Sequence, residues 1–139
     1  MAVLAAALLA AACAHDNPMA GENACQQRMV DIPSAKDVAP QAHWGQGLAG
    51  SFETMSRRYA AMDKSGCTDD QHARVHILVQ VTHEIATLAA RLPKGGPDSA
   101  TSLADRTSIL QFADEMQGFE NRRLAMQRDL DRMRAVRLR

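Results

Sequence analysis

Along the last third of the chain, Ile109, Phe112, Met116, Phe119, Met126, Leu130 and Met133 recur at alternating spacings of three and four, and Arg123 takes the one polar turn inside the series. That pattern is a heptad seam, and it predicts one long helix over Ser102 to Arg137, starting at Ser99 or Ser102. Two shorter helices precede it. Leu48, Phe52, Met55, Tyr59 and Met62 fall on one stripe of a helix beginning near Trp44 to Gly47, closed by Asp63-Lys64-Ser65-Gly66 with Gly66 as a left-handed residue. The next helix opens on Thr68, with Gln71 completing a capping box and Asp69 and Asp70 at the positive end of the dipole. Leu78, Val81, Ile85, Leu88 and Leu92 make its buried seam, widened by Val75, Ile77 and Ala89, and Pro93-Lys94-Gly95-Gly96-Pro97 ends it.

Short connections make these helices antiparallel neighbours, so the expected fold is an all-α, antiparallel three-helix bundle over residues 44–137 with a long C-terminal helix. At 1.5 Å per residue that last helix is roughly 50 Å long against roughly 35 and 30 Å for the other two. A stripe carrying Phe112, Met116, Phe119, Met126, Leu130 and Met133 along such a length is expected to seek cover, in a partner protein or a second copy of the chain. Residues 15–43 read as a tether and strap: polar with Pro18 and Gly21 at first, a short helix over Ala24 to Val30, then an irregular run broken by Pro33 and Pro40.

Residues 1–14 (MAVLAAALLAAACA) are almost wholly apolar and stop at His15-Asp16-Asn17-Pro18. A run of roughly 12 apolar residues is too short to span a bilayer, which needs about 20, and reads as the core of a secretory signal peptide. The Lys or Arg that ordinarily precedes such a core is missing. Ala12-Cys13-Ala14 fits ordinary signal peptidase, whereas Leu9-Ala10-Ala11-Ala12-Cys13 resembles the lipobox of bacterial lipoproteins, with Ala10 where that family prefers Leu. The second resemblance implies lipidation of Cys13, a membrane anchor, and, since Ala14 is not the Asp that favours inner-membrane retention, a place at the outer membrane facing the periplasm. With Cys13 lipidated or removed, Cys25 and Cys67 remain as an even pair. In an oxidising compartment a disulfide between them closes a loop of roughly 40 residues, worth about 3 to 4 kcal/mol.

Charge and candidate chemistry refine the picture only slightly. The formal net charge is zero, which argues against a nucleic-acid binder. Seven Arg lie from Arg122 to Arg139 against Asp129 and Asp131, while Asp98 to Glu120 holds five acids against Arg106. Acid early and base late suits a helix dipole, with pairs Glu120–Arg123, Asp129–Arg132 and Asp131–Arg134; the other reading is a basic arm for anionic lipid, cell-wall polymer or an acidic partner. Arg123 either snorkels to the surface or sets the register of a helix pair. His72, His76 and His83 line one edge of the second helix. His72 and His76, one turn apart, can reach one Zn, Cu or Ni ion given a third ligand such as Asp69, His43 or a Met, whereas His83 lies roughly 10 Å further on. The plainer reading of all three is a solvated edge. No nucleophile elbow, phosphate loop or carboxylate pair is present, so no catalytic residue and no enzymatic role is expected.

At Cys67-Thr68-Asp69-Asp70-Gln71 the chain resembles the Leu-Thr-x-x-Gln motif of the Spy and CpxP periplasmic helical proteins, to which the CnrX-type metal sensors are similar in fold and in using helix-borne His ligands. Cys67 stands where that motif has Leu, and no second copy of the motif occurs. The resemblance implies a small α-helical envelope protein that binds unfolded clients or senses envelope or metal stress, with His72 and His76 as ligands. The leading expectation is different: a non-enzymatic envelope lipoprotein that binds a partner through its long C-terminal helix.

Overall fold

The computed structural model describes residues 18–32, 46–100 and 102–138. The chain is all-helical there, with four α-helices, a single 3-10 turn at Pro97–Ser99 and no strand among the described residues. In chain order the helices are α1 (Pro18–Asp31), α2 (Gln46–Ala60), α3 (Asp69–Ala90) and α4 (Leu103–Arg137). The expected signal peptide over residues 1–14 with Cys13, the first residues of the expected tether, and the expected strap from 33 to 43 with His43 lie outside the described residues.

α1 corrects the expectation of a tether over residues 18–22. Pro18 and Gly21 pointed to irregular chain, but proline is tolerated in a first helical turn, where its missing N–H would have no helical acceptor. Asn23, Cys25, Gln26, Met29 and Ile32 then recur at helical spacing and are all buried. Packed side chains are therefore present in α1, ahead of residue 44.

Gly21 is present for contact. A β-carbon built there would stand 3.0 Å from Gly66 Cα, and one on Gly66 would stand 2.7 Å from Gly21 Cα. Gly66 sits in a tight turn, with Cys67 N–H donating to Lys64 C=O at 3.1 Å and a φ of +73° that favours glycine. The two glycines let the backbones of α1 and of the α2–α3 turn touch. Next to that contact the sulfurs of Cys25 and Cys67 are 2.01 Å apart, at disulfide distance, with Cα atoms 5.3 Å apart. Arg28 adds a hydrogen bond to Ser65 C=O at 2.6 Å.

The start of α3 is the capping box the sequence predicts. Gln71 N–H donates to Thr68 Oγ1 at 3.2 Å and Thr68 N–H donates to Gln71 Oε1 at 3.0 Å. Its other end is used as well: Gln71 Nε2 donates to Glu22 C=O at 2.9 Å and, at 3.4 Å, to Gln26 Oε1. Gln26 Nε2 in turn donates to Met126 C=O at 2.9 Å. Both glutamine side chains are buried, so a polar relay joins α1, α3 and α4 through the interior, each of its amides partnered as buried polar groups must be.

α2 and α3 share the densest part of the core. Phe52, Met55 and Tyr59 of α2 are fully buried with Val75, Ile85 and Ala89 of α3. Ser56 Oγ donates to Val79 C=O across the two helices at 2.9 Å, and a side chain this small lets them approach. Thr82, which its polarity kept out of the predicted seam, is fully buried because its hydroxyl turns back onto Leu78 C=O at 2.6 Å. Ile77, placed in that seam by the sequence, is instead exposed. α4 starts at Ser102, whose hydroxyl accepts from Asp105 N–H at 3.0 Å.

Gly66 and Gly96 provide a matched pair for testing the glycine contact. Both have positive φ, +73° and +88°, but a β-carbon on Gly96 would meet open space. Gly96→Ala is expected to lower the unfolding free energy by about 1 kcal/mol for backbone conformation alone. Gly66→Ala should cost clearly more in the same urea titration, because α1 must also shift.

Candidate interaction surface

α4 carries the residues that the sequence nominates for partner binding, and the structure divides them. Phe112, Phe119, Met126 and Leu130 are buried, while Met116 and Met133 are half-buried. Phe119 packs edge-on against Phe52 of α2, ring centroids 5.8 Å apart. Four of the six side chains therefore face the chain's own interior, and the surface they would offer another protein is already spent. A heptad stripe records that a helix face is covered; it does not record by what.

The buried positions of α4 are confined to Phe112–Leu130. The helix has 35 residues, roughly 52 Å, against 22 residues, roughly 33 Å, for α3. It overhangs its buried stretch at both ends. On the first overhang Leu103 is 82% exposed and Leu110 70%; on the second Val136 is 59% and the capping residue Leu138 is 90% exposed. Leu124 and Ile77 add apolar surface between them. Leu103, Leu110, Leu124 and Leu138 share a seven-residue register in the sequence, the one signal that would have marked them, and the stronger stripe beside it obscures that register.

Beside the middle of α4 a groove of about 230 Å³ opens toward α3, with Ile77, Leu78, Ala125 and Met126 lining it and Arg74, Arg122 and Asp129 as its polar members. Arg74 closes one end by pairing with Asp129 at 3.1 Å and Asp70 at 3.7 Å. Arg123, the polar seam residue, snorkels: its guanidinium forks onto Glu120 at 2.9 and 2.6 Å. Those bonds hold the Glu120 carboxyl below the ordinary range and raise Arg123. Of the other expected pairs on α4, Arg132 meets Asp129 at 3.5 Å. Arg134 donates to Gln27 of α1, and Asp131 accepts from Gln127 at 3.0 Å.

The histidine edge is brought together only in part. His72, His76 and His83 are all exposed on α3. His76 hydrogen-bonds Gln80 at 3.2 Å, and His83 Nδ1 lies 3.0 Å from Glu53 Oε2 of α2. Among the described residues no group of three His, Cys, Asp or Glu side chains is placed to hold a metal ion, so Asp69 does not complete such a group with His72 and His76. No helix of the described residues is long and apolar enough to cross a membrane. Comparison with protein-family models, curated proteins and solved structures finds no match to this chain.

Tyr59 stands apart as a buried phenol whose hydroxyl has no hydrogen-bond partner among the described residues. Burial pushes its pKa well above the ordinary value, with Arg58 and Arg123 opposing the rise more weakly. The unfolded chain releases the proton near pH 10, whereas the folded chain retains it to higher pH. The contribution of Tyr59 to stability is therefore expected to be constant below that point and to fall as pH rises beyond it, by a chemical-denaturation series, with Tyr59→Phe flattening the fall.

Phe119→Ala separates a core role from a partner role for the α4 stripe. As a core residue against Phe52 it should lose about 3 to 5 kcal/mol of unfolding free energy in the isolated protein. An anchor reserved for another protein would leave the isolated chain's stability nearly unchanged.

Proposed function

We propose that this chain is an exported envelope protein, held at the periplasmic face of the outer membrane through lipid on Cys13, with no catalytic activity of its own, whose task is to bind a protein partner. In this reading α2, α3 and α4 form an antiparallel three-helix unit with a long C-terminal member. The contacts Glu53–His83 and Ser56–Val79 support it for α2 and α3, since rising numbers on one helix meet falling numbers on the next, and Arg74–Asp129 joins α3 to α4. The Cys25–Cys67 pair supports an oxidising compartment.

The observation that carries the partner reading is the overhang of α4. Nine residues, 103–111, precede its first buried side chain, and they include two leucines more than two-thirds exposed. Leaving such leucines in water gives up about 1.5 to 3 kcal/mol each relative to burying them. A partner that covers the first three turns of α4 recovers that energy. The face it uses is the exposed one, and not the Phe112–Leu130 stripe that holds α4 in place.

A photoreactive residue at position 111 tests this in the intact envelope. The full chain is expected to give one dominant adduct, and Leu103→Glu with Leu110→Glu should abolish it while leaving the helical circular dichroism and the melting temperature unchanged. An adduct that survives the double variant would exclude binding through this face.

A further inference from the structure

α1 is held on the other helices largely by polar contacts. Cys25, Met29 and the following Ile32 are the buried apolar residues of this segment. Its remaining holds run from Gln71 to Glu22 C=O and Gln26, from Gln26 to Met126 C=O, from Arg28 to Ser65 C=O and from Arg134 to Gln27. Two of its side chains are incompletely satisfied: Asn23 Nδ2 and Arg28 Nε are buried with no hydrogen-bond partner among the described residues. Unpaired groups of that kind weaken an interface. A helix of 14 residues is also marginal in water by itself. The covalent link from Cys25 to Cys67 is therefore the strongest single hold on α1. What α1 covers is specific. Leu130 of α4 is 2% exposed yet stands outside the main apolar core, and the cleft beside it is walled by Ala20, Asn23, Ala24 and Gln27 of α1.

We infer that Cys25–Cys67 is a redox latch, whose reduction by a dithiol frees α1 and uncovers Leu130 while α2, α3 and α4 stay folded. Cys25 is fully buried and Cys67 half-buried on the α2–α3 turn, so attack falls on Cys67. A thiolate of the dithiol bonds to Cys67 Sγ, the disulfide breaks, and Cys25 leaves as a thiolate that takes a proton. The second thiol of the reductant then displaces Cys67 Sγ, which is protonated in turn. Two electrons and two protons have passed to the cysteines, and the dithiol has become a disulfide. The other three helices have contacts of their own to persist on: Phe52, Met55 and Tyr59 with Val75, Ile85 and Ala89, and Phe119 against Phe52. The latch acts on a different part of the molecule from Leu103 and Leu110 and does not rest on the partner reading.

The test compares amide hydrogen exchange of the full chain oxidised, reduced with dithiothreitol, and reoxidised. A Cys25→Ser, Cys67→Ser double variant serves as the reductant-free equivalent of the reduced form. In the reduced chain and in the double variant, residues 25–29 are expected to exchange at least ~30-fold faster than Val75–Ala89 of α3 and Phe112–Met126 of α4. Reoxidation should bring residues 25–29 back level with those two stretches. Hydroxyl-radical footprinting should label Leu130 more heavily in the reduced chain than in the oxidised one. The inference is overturned if residues 25–29 stay level with α3 and α4 after reduction, whether all three remain protected or all open together. It is equally overturned if the labelling of Leu130 does not depend on the disulfide.

Discussion

The fold is tied at Gln71. One side chain caps α3 through its carbonyl oxygen and, through its amide, holds the backbone of α1 at Glu22 and the side chain of Gln26, which reaches on to Met126 of α4. Each such bond contributes only about 0.5 to 1.5 kcal/mol net, but leaving one of these buried groups unpaired costs about 1 to 3 kcal/mol. The Cys25–Cys67 link is the larger single contribution, about 3 to 4 kcal/mol for a loop of this size. A disulfide restricts where α1 can go without choosing its angle or register. The glutamine relay and the Gly21–Gly66 contact make that choice.

Because the relay meets α4 at Met126, it fixes that helix within the stretch its buried side chains already define. Phe112 and Phe119 complete the hold. Outside Phe112–Leu130 α4 has no buried side chain among the described residues, and the two ends differ chemically. The first overhang presents leucines, while the last turns carry Arg134 and Arg137 toward the start of α1. A helix anchored in its middle thus displays exposed leucines at one end, and arginines beside exposed Val136 and Leu138 at the other.

How much of this is legible in the sequence depends on whether a signal is local. Thr68 and Gln71 satisfy one another within four residues, so the capping box can be read directly, as can the stripe of Phe52, Met55 and Tyr59. The Cys25–Cys67 pairing follows from counting cysteines once export is assumed. α1 is missed because Pro18 and Gly21 are breakers by local propensity, and what overrides them is contact with Gly66 and Cys67, more than forty residues away. The α4 stripe is legible as a face that needs cover, and the chain itself covers Phe112, Phe119, Met126 and Leu130, which periodicity could not say because it contains no information about the covering element. Thr82 and Ile77 exchange expectations for a related reason. A threonine whose hydroxyl bonds its own helix is buried at little cost, and an isoleucine on a helix edge is exposed when no neighbour reaches it. Asn23, a buried amide without a partner, has no signature in a one-dimensional pattern at all.

Amide hydrogen exchange on the oxidised full chain examines the tie at Gln71 most directly, because it reports opening helix by helix. The structure predicts slow exchange in α1 over residues 25–29, comparable to Phe112–Leu130 of α4, and fast exchange in residues 103–111 and 131–137. If α1 exchanges as fast as those overhanging ends while the disulfide is intact, the first helix is tethered without being packed, and the account built on the Gln71 relay is wrong.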